Sequence, residues 1–292
     1  MKTELLRKIG SSIQLLKLYN LFKFIDDNRE KPPYKLMYFC GLKGIDYLNS
    51  SLLSVYKNWL FLPDIIIITD GTPVSLIKSK IIRWPRNIEI DTWESCANFF
   101  SKKGNSNLFN YANNELWGKK FVSILAVSDK SPILYSDTDV LWFSDPIVSI
   151  SPSRKLPYMK MSQDIEFCYS DSMLKNLNEN LILNEPPRNA GVIYSAGNFS
   201  NYPKWEYLCN YLEKNADNRT EQTSFAILNS YFGETWDKNE IFIETEDMSS
   251  VFSYRYYNKF IARHYVNTKK WLFWRDFLLF LIFGLKFSNK NK

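Results

Sequence analysis

Cysteine is scarce and scattered in this sequence: the four residues, at positions 40, 96, 168 and 209, form no C-x-x-C pair. That spacing excludes the common cysteine zinc site and the dithiol redox motif. Nothing at the N-terminus reads as a cleavable signal peptide, so a reducing, cytosolic setting is expected and the sequons at Asn49, Asn198 and Asn218 are chance matches. Histidine occurs once, at position 264, so any imidazole chemistry must use that residue. A glycine-rich phosphate loop is missing, which argues against a nucleotidyltransferase built on one. The uninterrupted apolar run Phe277 to Leu285 falls far short of the roughly 20 residues a membrane-spanning helix needs. The net charge of +6 is not gathered into a basic stripe, so nucleic acid is not the expected partner; anionic substrates and an anionic surface are.

What is present is the composition of a folded enzyme. Hydrophobic residues at 45% and charged residues at 23% of 292 positions suffice for one large α/β domain with its own core. The 16% aromatic content suits ring stacking as well as packing. From Lys35 the pattern alternates between strands and helices. Residues 35–40 read as a strand, and Ile45, Leu48, Leu52, Val55 and Trp59 form the apolar face of a helix. Residues 64–69 are a β-branched run covered on both faces, 73–82 a helix and 87–90 a short strand. Residues 115–127 read as a helix burying Trp117, Phe121, Ile124 and Leu125, and 157–162 as a strand. This order predicts a mostly parallel central sheet flanked by helices, joined by right-handed crossovers.

The chain is organised around Ser131 to Pro146, SPILYSDTDVLWFSDP. A short apolar strand ends in two acids two apart, which in extended chain project to one face, so Asp137 and Asp139 can converge on a divalent cation while Thr138 points away. The competing reading, a solvated D-x-D turn, is disfavoured by the apolar residues Val140 to Phe143 that follow and place the carboxylates in a crevice. Ligands of open α/β sheets collect at the carboxyl ends of strands, where this pair lies.

LYSDTDVLWFSDP resembles the D-x-D segment of GT-A type glycosyltransferases, in particular glycosyltransferase family 8 and related nucleotide-diphospho-sugar transferases. Three further stretches follow in family order. FCGLKGIDYLNSSLLSVYKN resembles the opening segment that holds base and ribose, R-N-A-G-V at 188–192 the N-A-G-V segment, and E-Q-T-S-F at 221–225 the D-Q-x-x-(F/L)-N segment, with Glu in place of Asp. His264 and Lys270 match the C-terminal H-x-x-G-x-x-K-P-W pattern at the correct separation. Asn267 stands for its Gly, the Pro is missing and Trp271 falls one residue early. The resemblance spans about residues 34 to 271 and implies a GT-A nucleotide-diphospho-sugar transferase fold. It also implies a hexosyltransferase that retains anomeric configuration, using a nucleotide-sugar donor, UDP-linked, and Mn²⁺, with Mg²⁺ the alternative metal. On this reading Asp137, Asp139 and His264 hold the metal, and Glu221, Gln222 and Asn189 face the sugar and its anomeric carbon. Phe39, Cys40, Gly41, Asp46, Tyr47, Lys120, Thr138, Ala190, Gly191 and Lys270 bind the donor. Lys119 is a second basic candidate beside Lys120. The alternatives are an inactive nucleotide-sugar or glycan-binding protein of the same fold and a different nucleotide-dependent enzyme.

Three regions are expected: an N-terminal helix and linker at 1–33, a catalytic domain at 34–271 and an aromatic, basic tail at 272–292. Residues 1–25 carry Leu6, Ile9, Ile13 and Leu16 at helical spacing among lysines and an arginine, which fits a helix packed on the domain or one lying on a membrane surface. The tail reads as an interfacial helix with Trp271 and Trp274 at headgroup depth, or as a core helix docked on the sheet or on residues 1–25. Peripheral placement at the inner face of a membrane would favour a lipid-linked saccharide or other glycan acceptor.

Overall fold

The computed structural model describes residues 2–22, 27–150, 155–243, 260–266 and 270–283; the side chains of 2–7, Ile9 and Phe283 lie outside the description, as do Asn267, Lys269 and the lysines at 286, 290 and 292. Helix α1 (Lys2–Leu15) precedes β1 (Lys35–Cys40), α2 (Ile45–Asn58), β2 (Ile65–Thr69), α3 (Val74–Lys80) and β3 (Ile88–Thr92). Three helices follow, α4 (Trp93–Lys102), α5 (Ser106–Asn114) and α6 (Leu116–Ser128), then β4 (Ile133–Ser136) and β5 (Val140–Trp142). The second half comprises β6 (Tyr158–Gln163), α7 (Asp171–Leu177), β7 (Arg188–Ala196), α8 (Trp205–Asn215), α9 (Thr220–Phe232), β8 (Gly233–Thr235), β9 (Ile241–Phe242), β10 (Ala262–His264) and α10 (Lys270–Phe283).

Seven strands form the central sheet in the order β3-β2-β1-β4-β7-β6-β8, parallel except for the two pairings made by β7. Alternation along the strands divides the core. Leu36, Tyr38, Ile65 and Ile67 face one side, where α1, α2 and α10 pack, while Met37, Ile66, Ile68 and Tyr135 face the side covered by α4 to α9. The run IIIIT of β2 is buried at every position because both faces are covered. No helix among the described residues is long and apolar enough to cross a membrane.

Two expectations need correction. Trp117 is 45% exposed, while Phe121, Ile124 and Leu125 are buried as expected, with Gly118 beside them. Of the two readings of the tail, the described part follows the core helix and not the interfacial one: Trp271 and Trp274 are buried, with Leu272, Phe273 and Phe277. The partner that covers it is α1, whose Gly10 lies against the Trp271 backbone; a β-carbon there would meet Trp271 Cβ at 3.1 Å.

A second, three-stranded sheet, β5-β10-β9, sets the site. Antiparallel pairing of β10 with β5 puts His264 opposite Val140, and the Tyr265 N–H donates to the Asp139 carbonyl at 3.0 Å. The only histidine is thus held beside the second acid of the D-x-D segment, although 125 residues of sequence separate them by number (264 less 139).

Candidate active site

The D-x-D residues lie in the turn between β4 and β5 rather than in continuous strand, and the turn brings their carboxylates together. The Asp137 N–H donates to the Gly191 carbonyl at 2.7 Å, which ties the turn to β7. His264 Nε2 lies 3.5 Å from Asp137 Oδ2 and 3.4 Å from Asp139 Oδ1. Ligand atoms around one cation with bonds of about 2.1 Å are separated by about 3.0 to 3.4 Å at octahedral or tetrahedral angles, so this spacing fits a shared metal. All three side chains offer an atom within 4.8 Å of the others. The other ring nitrogen, Nδ1, is 3.0 Å from Asn189 Oδ1, an oxygen that already accepts the Gly191 N–H at 2.8 Å. A proton on Nδ1 would satisfy that oxygen and leave Nε2 free to join the two carboxylates on a metal. Two carboxylates and one imidazole form a mixed oxygen and nitrogen set that could hold a divalent metal ion.

Charge around this trio is dense and paired. Burial opposes ionisation of Asp139, but the bond from His264 and the Lys270 ammonium, 2.9 Å from Oδ2, hold its carboxyl well below the usual range. Burial likewise opposes the imidazolium of His264, and Asp139 and Asp137 more than offset it, so its pKa is raised. Lys120 is buried and stands 3.2 Å from both Asp137 Oδ1 and Glu221 Oε1. Desolvation works against its charge, and the two carboxylates nevertheless keep its pKa above the ordinary lysine value. Glu221 is pushed up by burial in spite of Lys120. Tyr135 donates its hydroxyl to Asp137, and its ring faces the Lys120 ammonium at 5.0 Å.

Glu221 and Gln222 occupy the first turn of α9, so the acid's reach inward is matched by the lysine it meets. Gln222 Nε2 donates to Asp164 Oδ2 at 3.2 Å, and the same oxygen accepts Asn189 Nδ2 at 2.9 Å. Asp164 escaped the sequence reading because it sits at the end of β6 in a stretch with no readable motif.

Gly191 lies against the His264 ring. A β-carbon there would lie 2.1 Å from His264 Cε1, so the glycine makes room for the imidazole. Ala190 beside it is buried. Among the base-site candidates, Gly41 is filled by the Asp70 carboxylate, 1.9 Å from where its β-carbon would be. The Cys40 thiol is buried and pushed up to about 12, and Phe39 is half-buried against the second core. Asp46 accepts the Tyr19 hydroxyl at 2.6 Å, and that bond ties it to the N-terminal segment. Tyr47 packs on Phe273 and Trp274, each with centroids 4.9 Å away, while the Lys270 ammonium lies 5.7 Å from its ring. Thr138 faces the start of α2 near Gly44, and Lys119 lies over the Trp93 ring, donating to the Asp70 carbonyl.

No protein-family model and no curated protein sequence matches this chain. Solved structures do. Mouse xyloside xylosyltransferase 1 superposes with a TM-score of 0.53 at 10% identity over 81% of this chain and 98% of its own. The galactosyltransferase LgtC, solved with donor and acceptor sugar analogues, gives 0.52 at 13% identity over 84% and 94%. The bifunctional glycosyltransferase WbbM gives 0.56 at 12% identity over 90% of this chain, which spans about half, 51%, of that protein. The fold is that of the GT-A glycosyltransferases.

Proposed function

We propose that this chain is a metal-dependent glycosyltransferase that moves a hexosyl group from a UDP-sugar to a glycan or lipid-linked saccharide, with retention of configuration. The observation that carries the reading is the convergence of Asp137, Asp139 and His264 Nε2 on one point, with Nδ1 satisfied by Asn189. A bound Mn²⁺ or Mg²⁺ would supply Lewis-acid stabilisation of the departing diphosphate.

The residues divide the remaining work. Asp137, Asp139 and His264 would hold the metal. Lys270, half-exposed at the first residue of α10, carries its positive charge at the rim of the same site, where it would neutralise the leaving group. Lys120 joins Asp137 to Glu221 and so keeps the sugar-facing first turn of α9 in register with the metal ligands. In the reaction the anomeric C–O bond to the diphosphate breaks as the acceptor oxygen bonds the same carbon on the same face. The acceptor proton passes to the leaving phosphate oxygen. Glu221 is charge-paired with Lys120, which disfavours it as a covalent nucleophile and supports front-face attack.

Membrane placement rests on a separate observation: Leu15 and Leu16 stand exposed at the end of α1 next to Lys17 in sequence, and Leu21 in the turn that follows. Such a surface fits an anionic bilayer, and hence a lipid-linked acceptor.

The test is hydrolysis of nucleotide-sugars in the presence of Mn²⁺ and no acceptor. Slow release of UDP is expected, abolished by EDTA and by Asp139→Asn with the fold retained. Donor binding without turnover would support the inactive binding protein instead. Activity that survives EDTA in full would remove the central claim.

A further inference from the structure

A groove of about 390 Å³ opens between α3 and the edge strand β3, lined by residues that the proposed function does not use. Its walls are aliphatic. Val74 opens α3 and Ile81 closes it, and Ile88 and Ile90 face them from the strand, all four half-buried. Two exposed cations, Lys78 and Arg83, complete the lining, which contains no acid, amide, hydroxyl or ring. We propose that the groove binds one hydrocarbon chain of an anionic membrane lipid, with Lys78 at the head group. The proposal rests on the membrane part of the reading above and is independent of the metal and the donor.

The occupant follows from charge and shape. Positions 74, 78 and 81 are four and three apart, so Val74, Lys78 and Ile81 share one face of α3 while Ile77 turns into the core. Lys78 thus interrupts an apolar stripe, and among the described residues its ammonium has no ion-pair or hydrogen-bond partner. A ligand that fills the walls and pairs with that charge is an aliphatic body ending in an anion. The volume falls within the range of small-molecule sites, about 300–1,000 Å³. An extended peptide fits less well, because away from the β3 edge its N–H and C=O groups would meet only aliphatic carbon. Position agrees with chemistry. Asp46 of α2 accepts the Tyr19 hydroxyl in the turn that displays Leu21. Three residues on, Asn49 donates to the Lys80 carbonyl and accepts the Ile82 N–H, both at 3.0 Å. These two supports are about 5 Å apart along one helix, which sets the groove-forming segment beside the leucines that meet the bilayer in the membrane reading.

The full chain is titrated calorimetrically with dodecyl phosphate below its micelle concentration, with dodecyl maltoside as the uncharged control. One dodecyl phosphate per chain is expected, held at least about tenfold more tightly than the maltoside. Lys78→Ala should weaken it about fivefold, the factor for one lysine at an anionic head group. Val74→Trp, which fills the groove, should weaken it at least about tenfold; if that variant does not fold, Val74→Phe carries the same expectation. A second measurement needs no variant. In phosphatidylglycerol vesicles containing a lipid with a diazirine at the end of one acyl chain, photolysis should label wild-type protein within residues 74–90. Label confined to residues 15–21 would leave the membrane reading standing and overturn the groove, whereas wild-type protein that does not attach to the vesicles would overturn both. Equal affinity for the two amphiphiles, or both variants within twofold of wild type, overturns the inference as well. So does a dimer that Val74→Trp dissociates, which assigns the groove to a second copy, or displacement of dodecyl phosphate by an equimolar extended peptide, which assigns it to an added strand. Failure of the glycosyltransferase reading shows separately, in donor hydrolysis.

Discussion

His264 occupies the space that a side chain at position 191 would fill, with its Cε1 atom 2.1 Å from where the β-carbon of Gly191 would stand. The ring is buried and bonded to Asn189, so it cannot swing aside within its pocket without losing that bond. Gly191→Ala should therefore expel the imidazole and reduce Mn²⁺ affinity by at least about tenfold while the sheet persists. Calorimetric Mn²⁺ titration beside a circular dichroism spectrum checks this; unchanged affinity would show that the ring has another place to go.

Much of this was legible in the residues themselves. The β-branched run of β2 and the apolar strand before Asp137 announced a sheet covered on both faces, and His264 was singled out because the chain offers no other imidazole. Other features depended on what lies opposite. Lys120 looks like any helix-surface lysine until Asp137 and Glu221 are seen on either side of it, and Asp164 carries no local pattern at all. The C-terminal aromatics read the same whether lipid or another helix faces them, because an all-round apolar helix does not name its partner. Gly191 was expected to matter for close approach, and it does, though to a ring of the protein itself.

The buried lysine is a stability element as well as a site residue. Lys120→Met leaves the Asp137 and Glu221 carboxylates without their shared cation, and removing one partner from a buried charge cluster costs about 3–5 kcal/mol. A lowered melting temperature in EDTA is expected, with part of the loss recovered by Mn²⁺, since a divalent ion at Asp137 replaces the missing charge. Equal melting temperatures for variant and wild type in EDTA would refute the pairing.

Helix α10 is anchored by charge as well as by apolar packing. Asp276, fully buried, accepts Arg263 Nη1 at 3.0 Å, the Tyr265 hydroxyl at 2.7 Å and Arg275 Nε at 2.6 Å. Arg263 and Tyr265 flank His264 in sequence, so the helix holds β10 and the imidazole in place. Asp276→Leu should destabilise by roughly 3–5 kcal/mol and lower Mn²⁺ affinity together, a joint effect that thermal melts and metal titration would detect. Loss of stability with undiminished metal binding would detach β10 from this support.

Truncation after Lys270 removes Leu272, Phe273, Trp274 and Phe277 from the core. At about 1.5–3 kcal/mol for each buried side chain, the four together contribute roughly 6–12 kcal/mol, comparable with the whole stability of a typical domain. The shortened chain should be unfolded or aggregated, and a cooperative melt near that of the full chain would contradict the packing role of α10. The same truncation is accordingly unsuitable for probing membrane attachment.

Attachment is better tested at the other end of the chain. After α1 the backbone turns through Lys17, with φ of 44°, into a short 3₁₀ turn, Leu18–Leu21, and this leaves Leu15, Leu16 and Leu21 at 79%, 65% and 76% exposure. Tyr19, between them, is buried and pinned to Asp46, so the leucines are held outward on a fixed support. Among the described residues Lys17 makes a long contact, 3.9 Å, with Asp46, an exposed pairing worth little. Each lysine near an anionic leaflet adds about 1 kcal/mol, and the leucines add apolar burial on top. Full-length protein should therefore co-sediment with phosphatidylserine-containing vesicles at low salt and release as salt rises. Leu15→Ser, Leu16→Ser and Leu21→Ser combined should weaken partitioning at least tenfold while leaving donor hydrolysis intact, because none of the three lies in the metal site. Wild-type protein that stays in solution at low salt, or a triple variant that binds like wild type, would end the membrane reading.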